Sequence, residues 1–242
     1  MRKKVAILNC GAPDQPRFTS EKLSASQIIA SKLASLGSIE PIIFTPTANH
    51  LPSPVEFDGF VIPGSKYDPD PYEIIANPWM EGLLEFIRQV HKLNKPLLGI
   101  CFGHQAIGVA FGSVLHRVEP PRNMELGLVP VELTELGQKD LLFDGVPKNF
   151  LGMQYHFRYI DHLPAEMQSL ANGSDLKLVQ AIRIGSLYGV QFHPEYSSAH
   201  MAELVDAYAD RLATKTDLSV VRIRGPRSDE KVLANFVKIV LS

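Results

Sequence analysis

Over its first 110 residues the chain alternates short, unbroken apolar runs with longer stretches whose apolar residues recur at helical spacing, and few architectures accept that pattern. The runs are residues 5–9, 41–44, 59–62 and 96–100; the first three meet a glycine or proline within two residues, where a turn belongs. The helical stretches are 20–36, closed by Gly37, then 77–92, opened by Asn77-Pro78 as N-cap and first helical residue, and 103–111. Apolar strands without alternation are buried on both faces, so the arrangement predicted is an α/β fold: a mostly parallel central sheet flanked by helices on both faces.

From about residue 113 to 190 the segments shorten and alternate, with glycine and proline turns between them. Residues 127–133, 149–154 and 181–191 read as strands of a smaller antiparallel extension. Residues 199–212 and 230–241 read as terminal helices; 214–229 is loop-like, and its Val220-Val221-Arg222-Ile223-Arg224 run has no evident role. With no repeat and no low-complexity linker, the 242 residues are expected to form one domain. A net charge of −2 argues against a nucleic-acid or membrane surface, and no apolar run approaches a membrane span. Two cysteines make no disulfide framework, so a cytoplasmic setting is expected.

The stretch carrying most chemistry is Gly99-Ile100-Cys101-Phe102-Gly103-His104-Gln105. A strand running through Gly-x-Cys-x-Gly into a helix is the thiol form of the nucleophile elbow. The turn exposes the Cys101 side chain, the glycines let helix and strand approach, the Phe102 N–H points at a developing oxyanion, and the helix N-terminus favours thiolate over thiol. Cys10 lacks this framing and reads as structural. A thiolate nucleophile needs a base and something to orient that base. Gln191-Phe192-His193-Pro194-Glu195 supplies both: Pro194 favours extended geometry at His193, so Glu195 projects to the same side and accepts from one ring nitrogen while the other faces Cys101.

The two motifs together resemble the class I glutamine amidotransferase domain, the glutaminase unit of GMP synthetase and carbamoyl-phosphate synthetase, over about residues 4–213, with 214–242 as a C-terminal extension. The resemblance implies a flavodoxin-like fold and a Cys101-His193-Glu195 triad that releases ammonia through a γ-glutamyl thioester; no cofactor or metal is expected. It implies an oxyanion hole from the backbone of Gly64, after the 59–62 strand, and of Phe102. It implies substrate contacts from Ser65, Gln105 and the segment Tyr155-His156-Phe157, where many members have Ser-His-x-Asp; here Tyr155 and Arg158 replace the serine and aspartate, which puts substrate and partner in question. Arg158 reads as a surface charge or a contact for an anionic substrate tail, Glu125 as structural, and Asp68 and Asp70 as solvated rim acids. His50, His91, His116, His162 and His200 show no ligand spacing.

The reading expected is a stand-alone hydrolase of the glutamine γ-amide; its alternatives are a γ-glutamyl peptide or conjugate hydrolase using the same triad, and a non-catalytic or partner-gated regulatory subunit. The chain has no phosphate-binding loop and no room for a synthetase domain, so an ammonia acceptor is expected free in solution or on a synthetase partner subunit.

Overall fold

The computed structural model describes residues 2–11, 18, 23–46, 50–119, 123–175 and 177–242. Its first half runs β1 (Lys3–Leu8), α1 (Ala25–Leu36), β2 (Ile39–Phe44), β3 (Gly59–Ile62), α2 (Pro71–Ala76), α3 (Trp79–Lys92), β4 (Leu97–Ile100) and α4 (Phe102–Ala110). The second half runs β5 (Val114–Arg117), β6 (Glu125–Leu133), β7 (Asn149–His156), β8 (Arg158–Asp161), β9 (Gln168–Gly173), β10 (Val179–Ile184), β11 (Leu187–Val190), α5 (Ser198–Ala207), α6 (Ala209–Ala213) and α7 (Lys231–Leu241). Nine strands form one sheet in the order β2-β1-β3-β4-β11-β10-β9-β6-β7, and β5 with β8 forms a separate pair. The first five strands are mutually parallel, and every later pairing in the sheet is antiparallel.

The parallel strands alternate between two cores because successive side chains leave opposite faces. Val5 and Ile7 of β1, Val61 of β3 and Leu98 and Ile100 of β4 pack with α1 and α7. Ala6 and Leu8, Phe60 and Ile62, and Leu97 pack on the other side with α3 and α4. A third cluster, including Leu126, Met153, Tyr196, Met201 and Leu212, lies beneath α5 and α6.

Several boundaries differ from expectation for local reasons. The helix expected at 20–36 begins at Ala25 behind a capping box, with Ser24 accepting from Gln27 N–H and the Gln27 side chain accepting from Ser24 N–H; residues 20–22 of that expectation lie outside the described residues. Asn77 does not cap α3: its side-chain amide donates to the Glu73 carbonyl and carboxylate, closing α2, a helix the sequence reading missed although Asp70 caps it and Pro71 opens it. The expected strand 181–191 is two strands. Only β10 belongs to the antiparallel extension, while β11 pairs parallel with β4 and completes the central sheet. The expected helix 199–212 breaks at Tyr208 into α5 and α6.

Candidate functional site

β3, β4 and β11 lie side by side and parallel, so their C-terminal ends open at one place, the carboxyl edge where α/β sheets hold their sites. Gly64 follows β3, Cys101 follows β4 as the cap of α4, and His193 follows β11. Cys101 has φ 52° and ψ −100°, strained for a residue with a side chain and imposed by the turn into α4. Its N–H donates to the Val190 carbonyl at 2.9 Å, and its own carbonyl accepts the Gln105 N–H at 3.0 Å, fixing both ends of the elbow. A Cβ on Gly103 would overlap the Ile62 carbonyl, so glycine is what lets α4 settle against β3. The Phe102 N–H belongs to the first turn of α4, where N–H groups have no acceptor within the helix.

His193 Nδ1 lies 2.8 Å from Glu195 Oε1, with both side chains buried. The imidazole stacks on Tyr196 at 4.4 Å and 5°, which fixes the ring plane. Burial by itself would lower the ring's pKa. The Glu195 carboxylate, followed by the charge on Cys101, outweighs that and holds His193 well above 6.5. Its buried Nε2 has no hydrogen bond of ordinary geometry among the described residues, while the nearby Cys101 also helps raise the ring's pKa. A Cβ placed on Gly64 would lie 2.9 Å from His193 Cε1 and 3.6 Å from Cys101 Cβ, so these three residues meet and only glycine fits between them.

Cys101 opens into a cleft of about 260 Å³. Ser65, Lys66, Tyr67 and Asp68 from the loop after β3, Tyr155, His156 and Phe157 at the end of β7, and Leu204, Tyr208 and Arg211 from the α5–α6 region all line it. Cys101 Sγ lies 3.8 Å from the Tyr155 carbonyl. The Arg211 guanidinium stands over the Phe157 ring at 5.5 Å. Ser65 lines the cleft, but its hydroxyl donates to the Cys10 carbonyl at 2.9 Å and accepts from Tyr67 N–H at 3.2 Å, so it shapes the loop after β3. Gln105 donates its amide to the Arg158 carbonyl and to Gln191 Oε1, bracing the cleft floor. Cys10 is buried, donates to the Leu8 carbonyl, and burial pushes its thiol far up, in keeping with an inert cysteine.

Other residues stand apart from their sequence reading. Arg158 is neither a lone surface charge nor a free anion contact: its Nε donates to Asp68 at 3.0 Å and its Nη2 to Asp70 at 2.9 Å. Asp68 and Asp70 are accordingly paired rather than simply solvated, and burial raises the Asp68 pKa despite the neighbouring Arg158. Glu125 is a node of buried polar groups. Its Oε2 accepts from Gln180 at 2.6 Å and lies 2.9 Å from His156 Nε2, while Gln180 accepts from Gln154 at 2.7 Å. His156 Nδ1 faces the Arg158 carbonyl at 2.8 Å, so this network holds the 156–158 backbone in place. His104 is fully buried against Gly189, and burial drives its pKa down to about 3. The β5–β8 pairing gathers His116, Asp161 and His162 until their ligand atoms lie within 4.8 Å, a proximity that sequence spacing did not reveal; Asp161 and His162 are exposed, and none of the three lines the cleft.

Sequence reasoning missed Tyr196 beneath the imidazole, and Arg227 and Asp229 behind it. The Arg227 side chain is 7% exposed and donates to the carbonyls of His193 and Tyr196. Tyr196 adjoins the His-Pro-Glu motif and was open to notice, whereas nothing periodic marks Arg227 in a loop.

The fold is that of the flavodoxin-like α/β glutamine amidotransferases. A glutamine amidotransferase from Thermotoga maritima matches 100% of this chain and 97% of its own with a TM-score of 0.73 at 22% identity. The chain belongs to the class-I glutamine amidotransferase family, whose model, Glutamine amidotransferase class-I, matches residues 21–207. Among curated relatives, gamma-glutamyl peptidase 4 of Arabidopsis thaliana is 27% identical over 62% of this chain and 59% of its own length. One of the subunits of the glutamine-hydrolyzing GMP synthase of Pyrococcus abyssi is 33% identical over 49% of this chain and 61% of its own. The chain thus spans about three fifths of the length of these relatives.

Proposed function

We propose that this chain hydrolyses the γ-amide bond of glutamine or of a γ-glutamyl compound, with Cys101 as nucleophile. The observation that carries the reading is the convergence of the strained Cys101 elbow and the Glu195-held His193 on one glycine, Gly64, at the edge of the cleft. The Cys101 thiolate attacks the γ-carbonyl carbon. The backbone N–H groups of Phe102 and Gly64 receive the developing oxyanion, where a single donor is worth about 3–4 kcal/mol. The His193 imidazolium gives its proton to the leaving nitrogen as the C–N bond breaks, leaving a γ-glutamyl thioester and free ammonia or amine. A water then attacks the thioester and passes a proton to His193; glutamate leaves and the thiolate–imidazolium pair returns. Glu195 keeps the ring oriented and charged.

One relative is named a γ-glutamyl peptidase, which supports a γ-glutamyl peptide or conjugate as the alternative to free glutamine. If glutamine itself is the substrate, the ammonia acceptor is assigned to a synthetase partner, in line with the GMP synthase relatives.

The test is glutamate release by the purified chain from glutamine and from a series of γ-glutamyl peptides, with Cys101→Ala as the blank. Release is expected from at least one of them, abolished in Cys101→Ala and lowered by about 10²–10⁴-fold in His193→Ala. Cys101→Ser with wild-type turnover would remove Cys101 as the nucleophile.

A further inference from the structure

The segment 214–229 has a role in the structure that the sequence did not show. After α6 it makes one 3-10 turn at Leu218–Val220 and runs beside β6, where Leu128 N–H donates to the Arg222 carbonyl at 2.6 Å. It then delivers Arg227 to the back of the 193–196 turn. Arg227 Nε and Nη2 hold the two oxygens of Asp229, fully buried, at 2.9 and 2.8 Å. Arg227 Nη2 also donates to the His193 carbonyl at 3.3 Å, and Nη1 donates to the Tyr196 carbonyl. Asp229 Oδ2 accepts the Met153 N–H at 3.1 Å, and the Met153 carbonyl accepts the His193 N–H at 2.7 Å. His193 is therefore gripped at both its N–H and its carbonyl by groups that Asp229 ties together. The turn's own bond, from Tyr196 N–H to the His193 carbonyl, is long at 3.3 Å and holds it weakly.

We propose that Arg227, held flat by Asp229, is a positioning residue that sets the His193 imidazole against Cys101. The inference rests on the role given to His193 above. A buried ion pair is a poor device for stability alone, because desolvation offsets most of the attraction. This pair directs its remaining donors at the two carbonyls that bracket the His193–Glu195 contact. The planar guanidinium presents donors at fixed angles, so it sets the turn's position as well as neutralising a charge. The segment does not line the cleft, so the clamp acts on the reacting groups and not on substrate binding.

Three variants test the clamp: Arg227→Ala, Arg227→Lys, and Arg227→Ala combined with Asp229→Asn, which leaves no unpaired buried carboxylate. Three readouts apply to each: kcat and KM on whichever γ-glutamyl substrate the wild type cleaves, the rate of Cys101 alkylation by iodoacetamide at pH 7 followed by mass spectrometry, and the urea transition. Cys101 lines the cleft, whereas burial pushes the Cys10 thiol far up, and the mass of the alkylated peptide distinguishes the two cysteines. In the folded double variant kcat is expected to fall by about 10²-fold with KM unchanged, the loss typical of a misplaced reacting group. Alkylation is expected to slow by about tenfold as the imidazolium withdraws from the thiolate. Arg227→Lys, which keeps the charge but not the fork, is expected between wild type and double variant on both scales. If Arg227→Ala alone does not fold, the double variant and Arg227→Lys decide. A folded double variant with wild-type kcat and alkylation rate overturns the proposal. If the wild type cleaves no γ-glutamyl compound, the proposed function fails by itself, and the alkylation rates still decide for or against the clamp.

Discussion

A fully buried imidazole normally sheds its proton, and at the residue scale His193 keeps its own because Glu195 sits 2.8 Å from Nδ1. That balance fixes a pH signature. In the proposed mechanism the imidazolium protonates the leaving nitrogen, so kcat/KM is expected to fall as pH rises through the His193 pKa, which lies well above 6.5. Glu195→Gln removes the largest raising influence, and the alkaline limb is expected to move to lower pH. A pH–rate profile of both proteins checks it, and an unmoved limb would strip Glu195 of its role. Stability follows the same sign. Because the folded-state pKa is raised, the pair's contribution is complete below about pH 6.5 and is lost as pH rises through the folded value. Cys101, His193 and Glu195 could be singled out in the sequence because each sits in a short motif of distinctive spacing, and the fold brings Cys101 and His193 together at Gly64. Arg158 was misread because its partners, Asp68 and Asp70, lie 90 and 88 residues away, and only the fold brings a cation to them.

Among elements, the contact between α4 and the sheet is the one the site depends on, since the helix must lie close enough to β3 and β4 to hold the Cys101 turn in its strained conformation. Gly103 meets the Ile62 carbonyl, which is backbone and cannot swing aside. Gly82 is the fourth residue of α3, and a Cβ there meets nothing nearer than Leu51 Cδ1 at 3.8 Å. The two glycines therefore respond oppositely to alanine. Gly82→Ala is expected to raise stability by about 0.4–1 kcal/mol by removing unfolded-state freedom. Gly103→Ala is expected to lower it by about 1–3 kcal/mol through overpacking. Urea unfolding measures both, and a neutral Gly103→Ala would mean that the helix has room to retreat. The first four parallel strands and their helices were legible because burial on both faces leaves unbroken apolar runs. β11 was read as antiparallel because its residues, Leu187-Tyr188-Gly189-Val190, are equally buried in either direction, and pairing direction leaves no mark on composition. Helix α2 was missed because six residues are too few to show a period, even with Asp70 and Pro71 at its start.

At the scale of the molecule, the residues that recognisably resemble the family stop short of what holds the protein together. α7 places Val232, Leu233, Phe236, Val237 and Val240 in the same core as β1, β3 and β4. At about 1.5–3 kcal/mol per buried apolar side chain those five contribute about 8–15 kcal/mol, as large as the whole stability of an ordinary domain. A chain cut after residue 213 is therefore expected to lose its cooperative urea transition and its near-ultraviolet circular dichroism; a sharp transition with an undiminished denaturant slope would refute the point. This last stretch was only half legible. Helix α7 shows its period, whereas the loop before it is defined by what it touches, 34 residues back at His193. That separation has a meaning in time. A ribosome adding about 5–20 residues per second places His193 in the growing chain some 2–7 seconds before Arg227 exists to brace it. Through that interval the nascent polypeptide carries Cys101, His193 and Glu195 without Arg227, so under the proposed clamp the geometry of the site is set only after the motifs that spell it have been made.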